Sequence, residues 1–122
     1  MNADVTNFLP LSAASLHILL ALAGEDLHGY AIMQEIARQS GGKYKIGPGT
    51  FYDNLQKLIQ REWVQELGRR QNDDDPRRRY YRLTSFGQRV LAAETARLAE
   101  VVREARSRLQ RAKPLSARLR RT

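Results

Sequence analysis

The sequence contains no cysteine, only two histidines, and aromatic residues amounting to 7% of its 122 positions. Without thiols there are no disulfides, thiolate metal sites or cysteine nucleophiles, which is compatible with a reducing compartment. With so few imidazoles and no serine beside a plausible base, no nucleophile–base pair can be assembled, so the chain is read as a non-enzyme with no cofactor and no metal site. Acidic charge is scarce too: 13 Asp plus Glu stand against 21 Lys plus Arg, a net charge of +8. Such an excess points to an acidic partner. Long apolar runs are missing as well. The longest, residues 16–23 with His17 inside it, is far short of the ~20 residues that a membrane span needs. No charged segment precedes it as in a signal peptide, so the expected location is cytoplasmic, away from any membrane.

What is present is enough apolar material, 42% of residues, for one modest core and therefore one compact domain. Residues 1–11 are polar, contain Pro10 and read as an arm. Ser12 can cap a first helix running to about Ala23, with Leu16, Leu19, Leu20 and Ala23 at helical spacing and Gly24 as its stop. A second helix fits Gly29 to about Gln39, with Tyr30, Met33, Ile36 and Ala37 on one side and Gly41-Gly42 ending it. A loop carrying Lys43 and Lys45 follows. Pro48 suits the first turn of a third helix reaching about Glu62, since its missing N–H would be orphaned there anyway. At 100° per residue, Phe51, Leu55, Leu58 and Ile59 share one face, while Thr50, Asp53, Asn54, Lys57 and Arg61 share the other.

Residues 63–67 and 79–83 favour β structure and flank a turn-forming stretch at 71–76. Arg69, Arg70, Arg77, Arg78 and Arg79 surround the acidic tip Asp73-Asp74-Asp75, which reads as a solvated turn and not as a cation site. Thr84 can cap a fourth helix in which Leu91, Leu98, Val102, Ala105 and Leu109 form a stripe more than four turns long. So long a stripe cannot rest wholly on a small core, which implies a partner helix, most economically from a second copy. Residues 113–122 form a basic tail expected to be disordered.

The expected fold is mainly α (α+β): a winged helix-turn-helix at 12–84, preceded by the arm at 1–11 and followed by a dimerisation helix at 85–112. Such an order suits double-stranded DNA, with a polar helix face reading base edges in the major groove and wing arginines neutralising phosphate. Candidate contacts are Thr50, Tyr52, Asn54, Lys57 and Arg61 on helix three, with Tyr30, Lys43, Lys45, Arg69, Arg70, Arg77 and Arg78 on helix two, the loop and the wing. Fold alone leaves open a second class, a winged-helix adaptor that binds protein or RNA.

Three blocks in order carry a family resemblance: Leu27-His28-Gly29-Tyr30-Ala31-Ile32, then Gly49-Thr50-Phe51-Tyr52-Asp53-Asn54-Leu55-Gln56-Lys57-Leu58, then Arg79-Tyr80-Tyr81-Arg82-Leu83-Thr84-Ser85-Phe86-Gly87. Over roughly residues 12–110 the chain resembles the PadR family of bacterial transcriptional regulators. The resemblance implies a homodimeric repressor that binds an inverted repeat in promoter DNA, and the winged-helix order with the long apolar stripe points to release by a small-molecule effector held between helix four, helix one and the partner subunit. It implies that helix three enters the major groove through Thr50, Tyr52, Asn54 and Lys57, that Tyr30 meets phosphate, and that Tyr80 and Tyr81 are structural. The acidic wing tip departs from the family pattern, and this places wing contacts on the flanking arginines.

Overall fold

In the computed structural model, which describes residues 4–68, 75 and 77–112, three of the four expected helices begin at a side-chain cap and the other at a proline. Ser12 accepts a hydrogen bond from the Ser15 N–H at 3.1 Å and starts α1, Ala13–Leu22. Helix α2, Gly29–Gln39, is capped by a residue that no capping rule favours: His28 Nδ1 accepts from the Ala31 N–H at 3.2 Å. Gly41 and Gly42, both at positive φ, end that helix by returning their N–H groups to Arg38 and Ala37, the paired bonds that satisfy orphan carbonyls. Helix α3, Pro48–Gln60, has proline in its first turn and no side-chain cap. Thr84 caps α4, Ser85–Arg111, by accepting from the Gly87 N–H at 3.0 Å.

The wing strands are β2, Val64–Gly68, and β3, Tyr80–Leu83, antiparallel with Val64 opposite Leu83 and an irregularity between Glu66 and Gly68. A further two-residue strand, β1, Leu27–His28, pairs with the far side of β3 and places Leu27 opposite Tyr81. The sheet order is therefore β1-β3-β2. Bidentate hydrogen bonds from Arg82 to Asp26, at 3.1 and 2.8 Å, fasten β3 to the turn before β1.

The core gathers Ile18, Leu19, Ile32, Ile36, Phe51, Leu55, Leu58, Trp63, Val64 and Val90. The face of α3 is as expected, except that Ile59 lies only half-buried at the edge. Two expected faces are rotated. In α1 the buried set is Ala14, Ile18, Leu19, Ala21 and Leu22, while Leu20 is 45% exposed and Ala23 is exposed. In α2 Ile32 and Ile36 are buried and Tyr30 faces out. Helix α1 is apolar on nearly every side, so its periodicity carried no direction.

Residues 4–11, expected as a polar arm, form a packed strap. Val5–Phe8 make a 3₁₀ turn capped by Asp4, and Val5, Leu9 and Leu11 pack against the core. Phe8 lies edge-on to Trp63 at 5.2 Å and to Phe86 at 6.1 Å. The Leu11 N–H donates to Glu94 at 2.9 Å. Glu94, on α4, is 1% exposed and also accepts from Arg97 at 2.5 and 3.0 Å. The Arg97 hydrogen bonds, and then the Leu11 N–H, hold its carboxyl below the ordinary glutamate range against the opposing effect of burial.

The joint between α3 and β2 is tight. Arg61 ends the helix, Glu62 adopts a left-handed φ of 64°, and the Trp63 N–H reaches back to the Leu58 carbonyl at 3.0 Å. The Thr84 hydroxyl donates to the Glu62 carbonyl at 2.6 Å, so one side chain pins this joint and caps α4. A Cβ on Gly87 would collide with the Trp63 carbonyl, so only glycine lets α4 approach so closely.

Candidate nucleic-acid interface

Burial of Phe51, Leu55 and Leu58 at 1% or less fixes the rotation of α3, and the same rotation exposes Thr50, Asp53 and Lys57. Asn54 lies between the two faces, half-buried, its Nδ2 donating to the Thr50 carbonyl at 2.8 Å. The expected readers Thr50, Asn54 and Lys57 thus occupy one helix face. Reading a base with the Asn54 amide would require exchanging that local bond.

Tyr52 stands at the flank of this face. It is 43% exposed, packs edge-on to Phe51 at 4.8 Å and sits so near Gly29 that a Cβ there would collide with its hydroxyl. That close approach brings Tyr30, 62% exposed, beside Tyr52. Between the first turn of α2, Tyr52 and the base of the wing lies a groove of about 430 Å³, with Arg77 and Arg78 on its far wall. Four expected contact residues, Tyr30, Tyr52, Arg77 and Arg78, therefore meet around one hollow. Asp75 shares it, but the Arg77 N–H donates to the Asp75 carboxylate at 2.9 Å, and this bond lowers the Asp75 pKa. Arg79 is turned to Glu66 at 3.9 Å.

Lys43 and Lys45 are exposed on the turn between α2 and α3. The turn is held from beneath: the Tyr44 N–H donates to Ser40 Oγ at 3.0 Å, and the Tyr44 ring stacks on His17 at 4.7 Å. Gln39 Nε2 donates to the His17 carbonyl at 3.0 Å and locks α1 to α2 at that point.

Arg61 is set apart from the other expected readers. It is the C-cap that follows α3, and its guanidinium lies 5.2 Å from the centre of the Trp63 ring, drawn there by the turn at Glu62. Arg69, Arg70, Asp73 and Asp74 lie outside the described residues, as does the tail at 113–122. Of the stripe on α4, Leu91 is 9% exposed and belongs to the chain's own core, and Leu98 is half-buried. Val102, Ala105 and Leu109 are exposed. The sequence reading missed the roles of Glu94 and His28. Glu94 carries no local signal, because its partner Leu11 is distant along the chain; a His-Gly pair at the start of a periodic run was the one hint for His28.

Among the described residues no group of acidic or histidine side chains could hold a metal ion, and no helix is long and apolar enough to cross a membrane.

Residues 18–93 match the family model described as the transcriptional regulator PadR-like family. The chain is 32% identical over 93 residues to the transcriptional regulator Rv3488 of Mycobacterium tuberculosis, covering 76% of this chain and 82% of that protein. Among solved structures it is similar to a PadR family transcription regulator from Clostridium difficile R20291, with a TM-score of 0.69 and 19% identity, covering 80% of this chain and 99% of that one. It is also similar to Bacillus subtilis PadR in complex with operator DNA, with a TM-score of 0.59 and 23% identity, covering 69% of this chain and 46% of that one. At these identities the two structures establish a shared fold.

Proposed function

The chain belongs to the PadR-like family of transcriptional regulators, and on that premise we propose that it is a homodimeric repressor that binds an inverted repeat in double-stranded DNA and is released by a small-molecule effector. The observation that carries this reading is the adjacency of two surfaces: the polar face of α3, and the groove where Tyr30, Tyr52, Arg77 and Arg78 converge. A helix presenting Thr50, Asn54 and Lys57 fits the major groove, which admits one helix and distinguishes bases by donor and acceptor pattern. Tyrosine hydroxyls and guanidinium groups beside it suit phosphate oxygens, which position a protein without reading sequence. Lys43 and Lys45, on a braced turn, extend the cationic rim. The net charge of +8 supports fast, salt-dependent encounter.

Pairing through Leu98, Val102, Ala105 and Leu109 on α4 would set two α3 helices a fixed distance apart, so half-sites should be spaced by about 34 Å or a multiple of it.

Selection from a randomised duplex pool tests this. The expected result is enrichment of an inverted repeat with that spacing, bound by two chains and preferred over scrambled duplex by roughly 10³ or more. Asn54→Ala should relax the preference at the half-site, whereas Arg78→Ala should weaken all duplexes alike and reduce the salt slope. A pool that never enriches, together with salt-insensitive binding, would overturn the reading in favour of an adaptor for a protein partner.

A further inference from the structure

What α3 buries also decides which of its side chains point most directly away from the core. At 100° per residue, Asp53 and Gln60 lie within about 15° of the direction opposite Phe51, Leu55 and Leu58, Gln56 and Lys57 within about 55°, and Asn54 more than about 100° from it. Exposure agrees: Asp53, Gln56, Lys57 and Gln60 are exposed, and Asn54 is half-buried. Gln60 ends the helix, whereas a recognition helix meets base edges with its N-terminal residues. Asp53 and Gln56 therefore stand at the centre of the displayed face, and Asp53 is the only acid on α3.

A carboxylate at the centre of a face proposed to meet a polyanion, in a chain of net charge +8, has none of the ordinary structural uses of aspartate. Asp53 is the sixth residue of α3, beyond the first turn where a cap or the helix dipole would employ it. Lys57 follows four residues later, a spacing at which helical ion pairs form. Among the described residues, however, neither the Asp53 carboxylate nor the Gln56 amide has a hydrogen-bond or ion-pair partner, and no group of acids there could hold a metal ion. The Asn54 amide, by contrast, is engaged by the Thr50 carbonyl at 2.8 Å. On DNA, phosphate repels a carboxylate. The donors that can satisfy it in the major groove are the amino groups of cytosine and adenine, and adenine sets the N7 acceptor beside its own, whereas cytosine presents its amino group alone.

We propose that Asp53 determines sequence preference by accepting a hydrogen bond from the N4 amino group of a cytosine, and that Gln56 reads an adenine in the neighbouring base pair. This assignment rests on the proposed function, with α3 in the major groove. Three residues advance a helix by about 4.5 Å, close to the rise of about 3.4 Å from one base to the next, so the two side chains reach successive pairs. The Gln56 amide matches N6 and N7 of adenine together. The Asp53 carboxylate acts in two directions: it gains a partner at cytosine, and it opposes phosphate or an acceptor edge wherever the helix lies on unmatched DNA. Specificity is the difference between those two affinities, and a repulsive element widens it.

The test is selection from a randomised duplex pool by three full-length chains, the wild type, Asp53→Ala and Asp53→Asn, with scrambled duplex as the measure of unmatched binding. The wild type should enrich a C·G pair beside an A·T pair in each half-site. Asp53→Ala should lose about tenfold of the preference for cytosine at that one position, keep the preferences elsewhere, and bind scrambled duplex about twofold more tightly or better. Asp53→Asn, whose amide both donates and accepts, should move the preference at that position from cytosine to adenine. Gln56→Ala should relax the neighbouring position alone. Both residues are exposed, so circular dichroism of every variant should match the wild type. Identical base preferences in the wild type and Asp53→Ala, a loss spread evenly over the half-site, or a wild-type site without the cytosine would overturn the assignment while DNA binding stands. A wild-type pool that never enriches would overturn the reading of α3 itself, and the assignment with it.

Discussion

Helix α4 is one continuous helix of 27 residues living in two environments. In its first half Gly87, Val90, Leu91 and Glu94 are buried against the chain's own core, and the strap at residues 4–11 is fastened to it. From residue 101 to 112 every position is exposed, with Val101 at 52%, Val102 at 46% and Leu109 at 73%. The apolar spacing is the same in both halves; only the presence of something to pack against differs. Most helical stability in proteins comes from tertiary packing of the apolar face. The proposed dimer would cover this second half, and the unbroken spacing of Leu98, Val102, Ala105 and Leu109 suits a helix of the same kind.

The largest effects should come from substitutions that separate the two halves by what they damage. Val102→Asp places a charge on the exposed stripe and touches nothing in the core. Each chain should keep its fold by circular dichroism while analytical ultracentrifugation shows loss of the dimer. Affinity for a two-half-site duplex should fall by roughly 10²-fold or more, because the second contact ceases to be intramolecular. Gly87→Ala should do the reverse. Its new methyl group meets the Trp63 carbonyl and Leu83, a strain of about 1–3 kcal/mol by the usual cost of overpacking. The thermal midpoint should drop, with assembly lost only as the chain unfolds. If Val102→Asp remained dimeric, the contrast between the halves would lose its meaning.

Glu94 sharpens the comparison from the buried side. Its carboxylate is held below the ordinary value of 4.5 by Arg97 and by the Leu11 N–H. A carboxylate with a depressed pKa in the folded chain stabilises the fold above its unfolded value, and that contribution is lost as pH falls through the folded one. Stability should thus decline as the solution is acidified below about pH 4.5. Glu94→Gln should cost about 1.5 kcal/mol at neutral pH, the value of hydrogen bonds to a charged group, and should flatten the acid limb of the profile. Denaturant titrations of both proteins over an acid series would decide this; parallel acid limbs would mean that Glu94 does not fasten the strap.

How much of this was legible in advance follows the same division between local and distant causes. Ser12, Thr84 and Pro48 announce helix starts through chemistry that acts within one turn, and all three act as expected. The face of α3 was readable because polar and apolar residues there are well segregated. Helix α1, read by the same method, misled: Leu20 and Ala23 belong to the spacing yet face outward, because a helix apolar on nearly all sides takes its direction from its neighbours. Strand β1 is two residues long and exists only because β3 has a free side to pair with. The strap was read as polar, yet Val5, Phe8, Leu9 and Leu11 are spaced for no regular element and gain their meaning from Trp63 and Glu94, far along the chain. Arg61 was assigned to the reading face by helical arithmetic, and the left-handed turn at Glu62 carried it over Trp63 instead.

The smallest expected effect completes the contrast, because α4 carries ion pairs of the same local kind in both halves. Arg97 bonds to Glu94 one turn earlier, and Arg108 bonds to Glu104 in the same manner at 2.6 Å. Their surroundings differ: the Glu94 side chain is 1% exposed, while Arg108 and Glu104 are 75% and 59% exposed. An exposed pair gains little from attraction in water and spends side-chain freedom to hold its geometry. A carboxylate withdrawn from water depends on its partner far more. Arg108→Ala should therefore leave the thermal midpoint within experimental scatter at any pH. Arg97→Ala, which leaves Glu94 buried beside the Leu11 N–H alone, should lower the midpoint at neutral pH and flatten the acid limb, because the pKa depression behind that limb comes chiefly from Arg97. Equal responses to the two substitutions would show that the second half of α4 is as enclosed as the first, which is the outcome expected if a partner helix covers Glu104 as well as Val102.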